Sequence, residues 1–380
     1  MPDVFEIADI FVEHALRAHE DEIALIAYYG SYAKETASVT SDLDLFYIAD
    51  AGKARSLSSQ FVIDGLPYDF WPISWEFAEG IANADADCPW AVAASLIADA
   101  RVLYYRSPKE LARFKGLQAR IEELTQPEQR PLMVNKALDV YDAVLFRSGQ
   151  VRLAVQRDDK AGAHWAAQQL VNAAANCLAL MNQTYFSKGW GANFEQILAL
   201  PERPADLERL MHAVLTPAQV TQLPDAAERL ARAIRATLRD AQRSLVAPQD
   251  AQRVFKDFYF FVFEYVNKIL AAREDQDAVR ARFAAFQLQE EIAQFMNRVD
   301  QGFAPQPFNL LGEYIAGYER AGFPDLLTSA VAGDIDELAE RARQLDVMMR
   351  AWLTQRGVDL GIVESRDDLR RFLETRDPAQ

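Results

Sequence analysis

Ten residues after a Gly30-Ser31 step the chain reads Ser41-Asp42-Leu43-Asp44-Leu45, two carboxylates that bracket a leucine at the head of an apolar run. Side chains alternate between the faces of a strand, so Asp42 and Asp44 project together, about 6.6 Å apart along the chain. Leu43, Leu45 and Tyr47 then take the opposite face, where a packed core would hold them. Carboxylates about 4 Å apart repel by roughly 4 kcal/mol at an effective dielectric of about 20. A divalent cation offsets that cost. Magnesium suits the pair, because it takes oxygen ligands and is usually held by one or two carboxylates together with substrate phosphates.

A third carboxylate would allow two cations to sit side by side and hold both the attacking and the leaving oxygen. The segment Phe61-Val62-Ile63-Asp64-Gly65-Leu66-Pro67-Tyr68-Asp69-Phe70-Trp71 reads as two short strands around Asp64-Gly65, a dipeptide favoured in tight hairpin turns. That assigns Asp64 to the turn and leaves Asp69, inside the second strand, as the third ligand and the group that polarises an attacking hydroxyl. Gly30 permits close backbone approach, and a helix from Ser31 over roughly 31 to 37 would aim free amides at phosphate oxygens. Lys34 either adds a point charge to the same phosphates or is a solvated helix lysine. The bland alternative for the pair is a turn at Ser41-Asp42 leading into a strand, with Asp44 a solvated edge residue.

Taken in order, Gly30-Ser31, Asp42-x-Asp44 and a later strand Asp69 resemble the polymerase-beta-type nucleotidyltransferase superfamily. The likeness is to its small-molecule branch, with the kanamycin, lincosamide and minimal nucleotidyltransferases, and the motifs cover roughly residues 20 to 105. It implies ATP or another nucleoside triphosphate as donor, two magnesium ions, Ser31 on the phosphates, Asp42 and Asp44 as shared metal ligands, and Asp69 as ligand and activator. It also implies transfer of a nucleoside monophosphate, AMP by expectation, to a hydroxyl, with release of pyrophosphate. Three acceptor classes follow: a small hydroxylated molecule such as an aminoglycoside-like antibiotic, a protein in a protein-modifying or antitoxin-type transferase, or none in a catalytically inactive nucleotide-binding module. Relatives in the antibiotic-modifying group often dimerise, so a homodimer is expected from the resemblance.

The chain has 380 residues, half of them hydrophobic, enough for one large core or two smaller ones. A formal net charge of -16 disfavours a general nucleic-acid binder, which needs a basic face. The two cysteines, Cys88 and Cys177, lie far apart in alanine-rich surroundings and suggest core thiols. No basic-then-apolar leader precedes the first helix, and the most apolar run, Phe258 to Phe263, is too short to span a bilayer. A soluble cytoplasmic protein without membrane contact is expected.

The fold class expected is an α/β amino-terminal domain with a mixed β-sheet, followed by an all-α helical bundle. A capping box at Asp3 and Glu6 opens a first helix ending near His19. Strands fit 23–29, 43–48, 61–63, 67–73 and 101–105, with further helices at roughly 74–82 and 90–98. Proline-rich punctuation at 126–131 places the boundary, giving a catalytic domain over 1–125 and a helical domain over 126–380 for acceptor selection or dimerisation, divisible near 302–308. Helical periodicity then covers 132–156, 161–183, 205–214, 225–246, 250–274, 276–300 and 335–356, with Pro201, Pro204, Pro217, Pro224, Pro248, Pro305 and Pro307 as stops.

Within the helical part, Gln168, Gln169, Asn172 and Asn176 form an amide stripe that either lines a cleft or faces solvent. The stretch Asn182 to Trp190 resembles the segment after the corresponding helix in related transferases, where a tyrosine and a lysine lie near the nucleotide. The resemblance carries Tyr185 and Lys188 into the nucleotide site. Their plain alternatives are a core aromatic and a surface charge. Trp71 shares a strand face with Asp69 and either stacks on a ligand ring or is buried against the helical domain. His14, His19, His164 and His212 have no metal-ligand spacing, and the aromatics from Phe255 to Tyr265 fall on all sides of a helix, which predicts burial between helices.

Overall fold

Near-continuous apolar runs in Ile23–Tyr29 (β1) and Leu43–Ala49 (β2), with alternating burial in Ser59–Ile63 (β3), Leu66–Ile73 (β4) and Arg101–Tyr105 (β5), build one five-stranded sheet in the order β3-β4-β2-β1-β5. The computed structural model describes residues 4–38, 41–50, 57–188, 193–303 and 315–375. The chain divides into two compact units, Met1–Gln242 and Arg243–Gln380. The change from α/β to helical structure at 125/126 falls inside the first. The 302–308 division lies partly outside the described residues, as do Asp3, Pro305, Pro307, Gly189 and Trp190.

The sheet is mixed. β2 and β4 run parallel, whereas β1–β2, β1–β5 and β3–β4 are antiparallel. Asp64 and Gly65 form the two-residue turn between β3 and β4 with φ of 51° and 82°, the doubly positive geometry that suits hairpin twist. Leu43, Leu45 and Tyr47 are buried in one core with Ile7, Ala8 and Ala15 of helix α1 (Val4–His19). Phe46 points to the other face and meets Phe114, the ring centroids 6.1 Å apart. That second face is covered by α4 (Trp90–Ala98) and α5 (Pro108–Leu124), against both of which α3 (Trp75–Ala82) packs.

Helix α5 has no counterpart in the sequence reading. Only Phe114, Ile121 and Leu124 of its 17 residues are buried, a stripe too sparse to stand out by period among its charges. Its Gln118 fastens it to the sheet side by donating from Nε2 to the carbonyls of Ile97, Ala98 and Ala100, at 2.9, 3.3 and 3.0 Å. The single helix expected over 132–156 is two, α6 (Arg130–Asp139) and α7 (Tyr141–Gln156). Neither proline nor glycine marks the break. The Tyr141 side chain is buried there and donates its hydroxyl to the Ala231 carbonyl at 2.8 Å.

The first unit continues through α8 (Lys160–Met181), α9 (Phe194–Leu198), α10 (Leu207–Leu215) and α11 (Leu223–Leu245), within which the unit boundary falls. Pro224 is not a stop. It occupies the first turn of α11, where a missing N–H is tolerated. Cys88 and Cys177 are buried free thiols.

The second unit contains α12 (Ala251–Val254), α13 (Phe258–Glu274), α14 (Ala278–Gln301), α15 (Ala316–Arg320), α16 (Leu326–Ala332), α17 (Ile335–Gln355) and α18 (Arg366–Thr375). The helix expected over 250–274 is interrupted by Asp257, whose φ of 60° cannot continue a right-handed turn. Phe255, Phe258 and Val262 enter the core with Leu288, Ile292, Leu345 and Met349. The aromatic run is not buried all round, however. Phe260 is 71% exposed and Phe263 47%, because partners cover only one side of α13. Among the described residues no helix is long and apolar enough to cross a membrane.

Candidate active site

The register of the sheet sets four side chains in one row. Gln60 of β3 pairs with Asp69 of β4, Asp69 with Asp44 of β2, and Asp44 with Tyr29 of β1. Residues paired across a ladder share a face, so Asp44 stands between Asp69 and Tyr29. Asp42 lies two residues ahead of Asp44, just outside the strand. The sequence placed Asp42 and Asp44 on a common face and offered Asp69 as a third ligand; the parallel pairing of β2 with β4 sets Asp69 level with Asp44.

These groups feel one another. The Asp44 carboxyl is pushed up to about 6, first by burial and then by the charges of Asp42 and Asp69, with Lys34 acting in the opposite sense. Tyr29 rises far above the usual phenol range, through burial and then the Asp44 charge. Its hydroxyl accepts a hydrogen bond from Trp71 Nε1 at 3.1 Å, so Trp71, half-buried, braces Tyr29 edge-on with centroids 6.4 Å apart. Asp69 Oδ1 accepts from Gln60 Nε2 at 3.2 Å. Among the described residues no three His, Cys, Asp or Glu side chains already form a cation cage. In identity and in placement on or beside neighbouring strands, Asp42, Asp44 and Asp69 nevertheless fit a hard divalent cation, whose charge would relieve the repulsion that adds to burial in raising Asp44.

Gly30 makes the close approach possible. Its φ is +75°, and a Cβ there would stand 2.6 Å from Asp44 Oδ2. The helix expected over 31–37 is a single turn, α2 (Gly30–Ala33), ended by Glu35 at φ 58°. Ser31 sits in that turn, half-buried, its carbonyl accepting from the Thr36 amide at 2.9 Å. Lys34 therefore closes the turn instead of lying a turn inside a helix. Its ammonium donates to the Ser187 carbonyl at 2.6 Å and lies 3.5 Å from Asp99.

Tyr185 donates its hydroxyl to Asp99 Oδ1 at 3.3 Å and packs edge-on against Trp90, centroids 6.3 Å apart. Burial, and then the Asp99 charge, push its phenol up to about 12. The structure thus links Tyr185 to Lys34 through Asp99. Lys188 is exposed, and its backbone amide donates to Gln196 Oε1 at 3.1 Å.

Residues 112–244 match the family model described as KNTase C-terminal domain. Over that third of its length the chain is similar to this domain. A solved structure, the nucleotidyltransferase-like protein from Exiguobacterium sibiricum, aligns with a TM-score of 0.36 and 12% identity over 62% of this chain and 79% of its own. No curated protein matches the sequence.

The KNTase-like segment opens inside α5 and holds Asn176, Tyr185 and Lys188, whereas the carboxylate row, Lys34 and Asp99 precede it. Asn176 of the amide stripe has a structural task, accepting from the Ala91 amide of α4 at 2.9 Å, while Gln168 and Asn172 pair with each other at 3.2 Å on the surface. Sequence reasoning passed over Tyr29, Gln60 and Asp99. Tyr29 was hidden in an apolar strand, and Asp99 looks like any polar residue that ends a helix. Only Gln60 left a signal, a polar side chain opposite Asp69 once the Asp64-Gly65 turn sets the hairpin register.

Proposed function

We propose that the chain moves a nucleoside monophosphate, AMP by preference, from a nucleoside triphosphate to a hydroxyl of a small-molecule acceptor such as an aminoglycoside-like antibiotic. The observation that carries this reading is the register that sets Asp44 beside Asp69, with Asp42 two residues ahead and the bare backbone of Gly30 against Asp44. Residues 1–125 would supply the chemistry and residues 126–380 would select the acceptor.

Transfer of this kind asks a protein mainly for position and charge neutralisation. Asp42, Asp44 and Asp69 would hold two magnesium ions, which supply the positive charge that balances the triphosphate and the oxygens that gain charge at the reacting phosphorus. Asp69 draws the proton from the acceptor hydroxyl as its oxygen bonds to the α-phosphorus. The bond from that phosphorus to the bridging oxygen breaks, and pyrophosphate leaves with the oxygen. Ser31 and the Gly30 backbone hold the β- and γ-phosphates, Lys34 offsets their charge, and Tyr185 and Lys188 border the nucleotide.

The test is mass spectrometry of a panel of hydroxylated antibiotics after incubation with ATP, magnesium and the protein, alongside a pyrophosphate assay. One nucleoside monophosphate added to an acceptor, lost in Asp42→Asn with the circular dichroism unchanged, is the expected result. An increment on protein would move the acceptor to another class, and unchanged turnover in Asp42→Asn would remove the metal assignment.

A further inference from the structure

The turn between α4 and β5 grips the loop after Gly30 at two points. Arg101, at the start of β5, donates from Nε to the Ala33 carbonyl at 3.4 Å and lies 3.5 Å from Glu35. Asp99, which closes α4, uses both carboxylate oxygens: Oδ1 accepts from the Tyr185 hydroxyl, and Oδ2 lies 3.5 Å from the Lys34 ammonium. The segment bearing Tyr185 is itself pinned to α4. Trp90 Nε1 donates to the Thr184 carbonyl at 2.9 Å, and the Phe186 amide donates to the Ala91 carbonyl at 2.6 Å.

We infer that Asp99 is a positioning residue for nucleotide binding: its carboxylate, aimed by Tyr185, acts with the Ser187 carbonyl, 2.6 Å from the Lys34 ammonium, to hold that ammonium at the phosphate loop and away from Asp42, Asp44 and Asp69. The inference rests on the transfer reaction proposed above. A lysine is a compact charge on a flexible stem, and Lys34 is close enough to act on Asp44. Without the Asp99 charge, it is drawn toward Asp44, on which it already acts, and the row that Asp44 belongs to. There it competes with a divalent cation for the same oxygens and is lost to the phosphates. With side chains only 17% and 24% exposed, Lys34 and Asp99 form a pair less screened than a surface bridge.

Calorimetric titration with non-hydrolysable analogues of ATP, GTP, CTP and UTP, at graded magnesium, tests this in the full chain. Asp99→Asn, which keeps the side-chain shape, is expected to weaken the preferred nucleotide roughly tenfold and to raise the magnesium needed for half-saturation by a similar factor. Asp99→Glu should restore most of both. In a Lys34→Met background, Asp99→Asn should change either quantity by less than about twofold, since no ammonium remains to be placed. A merely structural role would lower the melting temperature without moving the magnesium requirement. If the wild type binds a nucleotide and Asp99→Asn leaves affinity and magnesium requirement unchanged, or if the two substitutions act additively, the inference fails alone. If the wild type binds none of the four, the proposed reaction fails and takes the inference with it.

Discussion

A methyl group on Gly30 would stand 2.6 Å from Asp44 Oδ2, at a backbone φ of +75° that side chains rarely adopt. The loop and the strand carboxylate are thus fitted to each other, and glycine is the residue that permits both the turn and the contact.

Gly30→Ala should accordingly act twice. The positive φ costs about 1 kcal/mol of stability, and the displaced Asp44 carboxylate should slow transfer by about a hundredfold, since misplacement of about 1 Å is enough for that. Thermal melting and a pyrophosphate-release assay separate the two effects. A variant that melts lower yet keeps wild-type turnover would show that Asp44 need not hold this position.

Asp44 should cost the metal-free protein stability at neutral pH. Its folded pKa of about 6 lies above the ordinary 3.8, so the folded state holds this proton more tightly than the unfolded chain. The resulting stabilisation is present below about pH 4 and is lost as pH rises through about 6. In chelator at pH 7.5, Asp44→Asn should therefore exceed the wild type by on the order of 1–2 kcal/mol, the gap closing below about pH 4, while transfer is abolished. Melting curves from pH 3.5 to 8 check this, and parallel curves for the two proteins would contradict it.

Asp325 behaves in the opposite sense. It caps α16, accepting from the Leu327 and Thr328 amides at 3.0 and 3.2 Å, from Gln289 Nε2 at 3.4 Å, and from the Thr328 hydroxyl. Burial opposes its charge, but the hydrogen bonds outweigh burial and hold the carboxyl below its usual range. Its contribution is present above about pH 4 and is lost as pH falls through the lowered folded value. Asp325→Ala should cost about 1–2 kcal/mol at pH 7. Asp325→Asn should cost less, with a deficit that shrinks in acid; chemical denaturation at several pH values measures both.

The aromatic helix gives a paired prediction. Phe255 is fully buried against Phe258, Phe295 and Trp352, so Phe255→Ala should cost about 3–5 kcal/mol. Phe260, 71% exposed, should tolerate serine within about 0.5 kcal/mol. Urea unfolding of both variants compares them directly, and equal losses would mean that α13 is covered on both sides.

The strands and the carboxylate pair were readable because they rest on local rules. A period of two assigns Leu43 and Leu45 to one face and Asp42 and Asp44 to the other, and Asp64-Gly65 demands its own turn. Helix α5 and the break at Val140 were not readable. Both depend on what lies across from them, the sheet for Phe114 and the Ala231 carbonyl for Tyr141. Only the tertiary structure decided that β2 and β4 run parallel and in step, which makes Gln60, Asp69, Asp44 and Tyr29 one row. It alone joined Lys34 to Asp99 and Tyr185, residues up to 151 positions apart in the sequence. Periodicity and turn chemistry are written between near neighbours along the chain, whereas strand order and ion pairing follow from which distant surfaces lose the most water by meeting.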